Sequence, residues 1–189
     1  YYNKNADNFA KTTIDVNFYE TQKHFQELLP EHGYILDFGC GSGRDTKYFL
    51  EQGFYVDATD GSEEMCHIAS NYTGIQVRRL LFEELDENKK YDGIWACSSI
   101  LHLPKNELKA VFMKMFKALK EDGIIYTSFK YGDFEGERNG RYFTDFTEKT
   151  FEEFVGEIDN LQLKEEWITG DVRPGRGEEK WLNVILQKN

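Results

Sequence analysis

The stretch that decides the fold is Tyr34-Ile35-Leu36-Asp37-Phe38-Gly39-Cys40-Gly41-Ser42-Gly43-Arg44. Its first five residues read as a strand, followed by a glycine turn and a helix through Tyr48, Phe49 and Leu50, closed by Gly53. Glycines at a strand-to-helix junction let the backbone approach a ligand and aim amide groups at it. The next strand, Phe54 to Thr59, ends at Asp60. An acid at that point can accept both hydroxyls of a ribose. Glycine turn, strand and acid together point to a ligand containing adenosine. A glycine turn that serves only close packing is the plainer alternative.

Outward from this unit, strand and helix patterns alternate, which predicts an α/β domain with a mainly parallel sheet. The opening stretch, Tyr1 to Thr13, is polar and aromatic. A helix carrying Tyr19, Phe25, Leu28 and Leu29 follows, ended by Pro30 and Gly33. Ser62 is placed to cap a helix running to Asn71, with Glu63 and Glu64 in its first turn. Ile75 to Leu81 is a third strand, polar enough at Arg78 and Arg79 for a sheet edge. Tyr91 to Cys97 is a fourth. Leu108, Val111, Phe112, Met115, Phe116 and Leu119 then recur at helical spacing. Ile124 to Phe129 is the fifth strand, and Thr147 to Glu157 a helix. Leu161 to Ile168 and Trp181 to Leu186 have no helix between them, so they should pair antiparallel. The spans 131–146 and 169–180 read as loops.

The whole chain has 189 residues and a formal charge of −11, with 40% hydrophobic and 15% aromatic residues. That size suits one domain, residues 1–189. The acidity opposes a nucleic-acid or anionic-membrane partner, since both demand a basic footprint. No apolar run approaches the roughly 20 residues of a membrane span. No signal-peptide pattern opens the chain, which begins at Tyr1 rather than Met. Three cysteines without metal-ligand spacing fit a cytoplasmic setting and no resident metal.

Spacing separates the candidate ligands. A dinucleotide site wants G-x-G-x-x-G, with a pyrophosphate on the helix N-terminus. Gly39 and Gly41 fit, but Arg44 stands at the third position and Asp37 precedes the turn. A pyrophosphate would not tolerate Asp37, whereas the ammonium of an amino acid would. This favours S-adenosylmethionine over a nicotinamide dinucleotide.

These motifs resemble those of the class I S-adenosylmethionine-dependent methyltransferases, of the small-molecule kind that includes tellurite-resistance-like enzymes. The first motif is Ile35 to Gly43. Asp60-Gly61-Ser62 with Met65 resembles the second, Tyr91 to Ser99 the fourth-strand motif, and Leu119 to Ile124 the turn before strand five. The resemblance covers nearly the whole chain. It implies a three-layer Rossmann-like seven-stranded sheet, order 3-2-1-4-5-7-6 with strand 7 antiparallel and helices on both faces. It also implies that residues 1–30, an arm and helix, cover the site. Cofactor contacts are then expected from Asp37, Gly39, Cys40, Gly41, Gly43, Arg44, Asp60, Gly61, Met65, Phe82, Cys97 and Ser98. Many relatives carry an Asp after the third strand; Leu81 stands there, so adenine recognition passes to backbone and the Phe82 ring.

Methyl transfer by in-line displacement chiefly requires alignment and exclusion of water. A base is needed only when the nucleophile must lose a proton. His102, just after strand four, is the candidate; a packing or capping histidine is the alternative. Tyr2 and Arg141 complete the catalytic candidates. Five of the seven arginines, Arg44, Arg138, Arg141, Arg173 and Arg176, fall where the topology puts the carboxyl ends of strands. Arginine's fork suits carboxylate or phosphate. Either the acceptor is anionic, or these arginines pair with nearby acids such as Asp171 and Glu179. Tyr131 and Phe143 join Arg138, Arg173 and Arg176 as substrate-side candidates, and Trp181 reads as core. The expected activity is methylation of a small molecule. A nicotinamide-dependent oxidoreductase and a non-catalytic S-adenosylmethionine-binding module are the alternatives.

Overall fold

The computed structural model describes residues 2–189, with side chains from residue 3 onward. Tyr1 and the Tyr2 side chain, which the sequence reading offered for the site, lie outside the described residues. The helices are α1 (Tyr2–Thr13), α2 (Tyr19–Glu27), α3 (Arg44–Glu51), α4 (Glu63–Thr73), α5 (Lys105–Ala118) and α6 (Glu148–Val155). The strands are β1 (Tyr34–Phe38), β2 (Tyr55–Asp60), β3 (Arg78–Arg79), β4 (Tyr91–Ala96), β5 (Leu119–Lys130), β6 (Glu135–Arg138), β7 (Arg141–Thr144), β8 (Leu161–Gly170) and β9 (Lys180–Lys188).

Seven strands form one sheet in the order β3-β2-β1-β4-β5-β9-β8. This is the expected order, once the β6–β7 hairpin is set aside from the count. β9 runs antiparallel to both β5 and β8. The sheet separates two apolar clusters. Leu36 and Phe38 of β1 face one cluster, with Phe112 and Met115 of α5 and Phe151 of α6. Ile35 faces the other, with Phe25 of α2, Phe49 of α3 and Trp95 of β4. Alternate residues of one strand thus reach opposite layers, as the pleat requires. Trp95 stacks on Tyr126 with ring centroids 4.1 Å apart.

Three local differences from the sequence reading have physical causes. Residues 2–13 form a helix rather than an extended arm. Ala6 and Ala10, one turn apart, are its buried side chains, too small a face to show as a periodic apolar pattern. β3 shrinks to two residues at the sheet edge, where Arg78 makes two hydrogen bonds to Asp57 at 2.8 and 3.1 Å. The span 131–146 contains a hairpin. Asn139 and Gly140 both have positive φ (51° and 75°) between the paired Arg138 and Arg141. That is a two-residue turn of the kind that Asn-Gly favours.

The capping expectations hold. Ser62 Oγ accepts the Met65 amide at 3.3 Å. Gly53 follows α3 at φ 88°. Among the described residues no helix is long and apolar enough to cross a membrane.

Candidate active site

A cavity of about 660 Å³ opens at the carboxyl ends of β1, β2, β4 and β5. That volume is in the range of small-molecule sites. Its floor is the turn between β1 and α3. Gly39 has φ 82°, and a Cβ there would come within 2.6 Å of Ser99 Cβ and 3.3 Å of the Phe82 ring. Only glycine leaves room at that point. The backbone amides of the turn have partners inside the protein. Those of Gly39 and Cys40 both donate to the Thr59 carbonyl, at 2.9 and 2.8 Å. Gly41 donates to Asp60 Oδ2 at 2.9 Å. The turn therefore works by close approach, not as a row of amides aimed at a ligand, which revises the sequence reading.

Asp60 stands at the end of β2 on the cavity wall. Gly41 holds one carboxylate oxygen and the Ser62 amide the other, at 2.9 Å each. Burial raises its pKa against those amide hydrogen bonds. Its orientation is set before any ligand arrives, and a carboxylate oxygen can accept more than one bond. Met65 and Phe82 add apolar wall beside it.

Asp45 opens α3 and is buried. It accepts Arg44 Nε at 2.8 Å, Arg44 Nη2 at 2.9 Å, Trp95 Nε1 at 2.9 Å and Gln22 Nε2 at 2.6 Å. Burial works against its charge, but the Arg44 guanidinium beside it holds its pKa below the usual carboxylate range. Arg44 in turn lies over the Phe18 ring, 4.9 Å from the centroid, and faces the cavity. The two flanking thiols are poor nucleophiles. Burial pushes Cys97 up to about 12 and Cys40 well above its ordinary value.

At the outer end, Ser98 (φ 50°) gives its amide to Ser128 Oγ at 2.9 Å. His102 Nδ1 lies 2.8 Å from the Tyr142 carbonyl. A carbonyl only accepts, so the proton belongs on Nδ1 and the lone pair on Nε2. Burial, with Arg141 and Lys130 close by, pulls the His102 pKa down to about 4. The ring is therefore neutral at neutral pH. Asp171 accepts the Arg173 amide at 2.9 Å, Arg173 Nε at 2.9 Å, Arg173 Nη2, and Trp181 Nε1 at 3.1 Å. Trp181 lines the cavity, so it is more than the core residue expected.

Of the expected residues, Gly39, Cys40, Gly41, Arg44, Asp60, Gly61, Met65, Phe82, Cys97 and Ser98 meet on the inner wall. His102, Arg141, Phe143, Arg173 and Arg176 meet on the outer one. Five others lie off the lining. Asp37 is buried behind the turn and accepts Thr46 Oγ1 at 2.5 Å, tying β1 to α3. Burial, with Asp45 adding to it, raises its pKa. Gly43 packs on α4, where a Cβ would strike Thr73 at 2.7 Å. Leu81 backs Gly61. Tyr131 donates to Glu148 at 2.8 Å. Arg138 is held by Asp145 at 2.6 Å and stacks on Phe134. The sequence reading missed Asp45, Ser128 and Lys130, which no local pattern marks. It offered Asp171 only as an ion-pair partner, and the structure pairs it with Arg173.

Residues 35–123 match the family described as a methyltransferase domain. The chain is 33% identical over 122 residues to YqeM of Bacillus subtilis (strain 168), named as a candidate methyltransferase. That match covers 59% of this chain and 49% of YqeM, so the chain spans about half the length of that relative. Two solved structures share the fold. One is a 1,6-didemethyltoxoflavin-N1-methyltransferase from Burkholderia thailandensis with bound 1,6-didemethyltoxoflavin and S-adenosylhomocysteine. It has a TM-score of 0.78 and 23% identity, over 98% of this chain and 84% of that one. The other is a TehB-like enzyme from Corynebacterium glutamicum, with a TM-score of 0.74 and 19% identity, over 98% of this chain and 99% of that one. The matched segment and the shared fold make the chain similar to S-adenosylmethionine-dependent methyltransferases.

The wall fits that cofactor. Asp60, Phe82, Met65 and Arg44 bring a carboxylate, two apolar side chains and a guanidinium to its lining, groups of the kinds that a ribose, an adenine and an amino-acid carboxylate would meet. The glycine floor leaves the space that an added Cβ would fill. Among the described residues no cluster of three or more His, Cys, Asp or Glu could hold a metal ion.

Proposed function

We propose that this protein transfers a methyl group from S-adenosylmethionine to a small, anionic acceptor. The observation that carries this reading is a single cavity with two chemically different ends. The inner end holds Asp60, Arg44 and the glycine floor. The outer end holds His102, Phe143, Lys130 and Arg141. Around the whole lining stand six cations, Lys4, Arg44, Lys130, Arg141, Arg173 and Arg176, against Asp45, Asp60 and Asp171. That excess occurs in a chain of net charge −11. It supports an anionic acceptor, even though Arg173 and Arg44 each have an aspartate partner.

When bound, S-adenosylmethionine supplies a methyl group on a sulfonium that is already electrophilic. The protein's part is alignment and exclusion of water. Arg44, fixed by Asp45, would hold the amino-acid end, and Asp60 the ribose. His102, neutral, would accept a hydrogen bond from the nucleophile through Nε2. With a pKa near 4 it is a weak base in the unliganded protein. An anionic acceptor beside Arg141 and Lys130 would offset their charges and raise that basicity.

The nicotinamide alternative loses ground on the turn itself. A pyrophosphate needs amides aimed at it, and those of Gly39, Cys40 and Gly41 are engaged elsewhere. Calorimetric titration with S-adenosylhomocysteine and with NAD separates the two readings. We expect saturable binding of the first only; binding of NAD alone would sink the proposal. Transfer of labelled methyl to a component of a small-molecule extract then tests turnover against a purely binding role.

A further inference from the structure

A second cavity, of about 620 Å³, lies beside the first. Arg141, Arg173 and Arg176 line both. Its remaining wall comes from α1, residues 15–17 and Val172 with Pro174. Gly39, Gly41 and Asp60 have no part in it. The second cavity thus adjoins the acceptor end of the first; Phe9, which lines both, also reaches within 3.4 Å of where a Cβ on Gly41 would lie.

We propose that this second cavity is a binding site for a dianionic oxyanion group, such as a phosphomonoester, carried by the acceptor. The inference rests on the acceptor reading above and extends it. The acceptor would be an elongated molecule, with its nucleophile near His102 and its charged end among Lys11, Arg141 and Arg176.

Charge supports this. Lys11, Arg141, Arg173 and Arg176 face the cavity, with Asp15 as its one lining acid among the described residues. The acids behind the wall must be counted too. Asp171 holds Arg173. Glu179 lies 4.0 Å from Arg176 and 2.5 Å from Lys130. With Asp171, Glu179 and Lys130 included, five cations face three carboxylates. Asn5, Asn8, Thr12 and Asn17 add neutral polar groups to the wall. Guanidinium forks bind phosphate and carboxylate oxygens in pairs, and neutral amides supply further donors without repelling other groups.

The test is titration of the full chain with inorganic phosphate at fixed ionic strength, followed by calorimetry. Saturable binding is expected. Arg176→Ala should weaken it about tenfold, the loss of one charge-assisted pair. Lys11→Ala should weaken it severalfold, and Lys11 touches the second cavity alone. Both side chains are exposed at the surface, so the fold should survive, as circular dichroism would verify. Absence of saturable binding overturns the proposal, as does equal affinity in the Lys11→Ala/Arg176→Ala double variant. Titration with S-adenosylhomocysteine in parallel keeps the two readings apart. Phosphate binding without S-adenosylhomocysteine binding would discard the methyl-transfer reading and keep the anion site. The reverse result would discard only the anion site.

Discussion

Two buried aspartates in this protein hold a neighbouring arginine in the same way. Asp45 takes Nε and Nη2 of Arg44 and the indole N–H of Trp95. Asp171 takes Nε and Nη2 of Arg173 and the indole N–H of Trp181. The surroundings differ. The donors to Asp45 come from α2, α3 and β4, two helices and a strand of the sheet they cover. The donors to Asp171 come from its own loop and the start of β9. One arginine is fixed by distant parts of the chain, the other by ten residues of it. The first suits a group that must be in place before the cofactor arrives. The second suits a group that can shift with its loop when acceptors differ.

Breaking the inner arrangement should have the largest effect. Asp45→Asn leaves the Arg44 guanidinium buried without its counter-charge, a change that costs about 3 kcal/mol or more. Urea denaturation should show that loss, and S-adenosylhomocysteine affinity should fall with it. Unchanged values for both would mean that Arg44 is placed by something other than Asp45.

A pH series probes the boundary between the two regions, where His102 sits. Its folded pKa of about 4 lies below the ordinary value of 6.5. Between those values the unfolded chain takes up a proton that the folded one refuses, so stability falls as pH drops. Above pH 6.5 the group contributes no slope. The wild-type protein should therefore lose up to about 2–3 kcal/mol relative to His102→Gln between pH 6.5 and 4. Parallel stability curves for the two proteins over that range would contradict a buried neutral ring.

Asp171→Asn should have the smallest effect on folding, about 1 kcal/mol, because solvent can take up the Arg173 side chain, which is 27% exposed. The folded carboxyl has a pKa near 2 against 3.8, so its contribution is full above pH 3.8 and fades as pH approaches 2. Kinetically this variant should raise the acceptor KM and leave S-adenosylhomocysteine affinity alone. A weakened cofactor would erase the distinction between the two regions.

The same contrast explains what could be read from the sequence. The inner site is built on elements with strong local signals: an apolar strand, a glycine run and an acid at the end of the next strand. These carried the resemblance that implied the sheet order and most of the inner wall. Asp45 escaped because its partners Gln22 and Trp95 are 23 and 50 residues away, and no local pattern marks such a meeting. The hairpin is a different case. Arg138-Asn139-Gly140-Arg141 carries a turn signal, but the span around it is polar and glycine-rich and so reads as loop. Tyr131 and Arg138 show the limit of placing a residue by its loop, since each turns to an acid nearby, Glu148 or Asp145. α1 shows the limit of periodicity, with two alanines as its buried side chains.

The place of β9 between β5 and β8 has a consequence for how the chain is made. β8 leaves the ribosome first, yet it touches the sheet only through β9. Until β9 is free to pair, the edge of β5 stands open, and such an edge invites pairing with other chains. β9 covers that edge and carries β8 into the sheet with it, so the sheet is completed from its last strand in sequence rather than from its outermost strand in space.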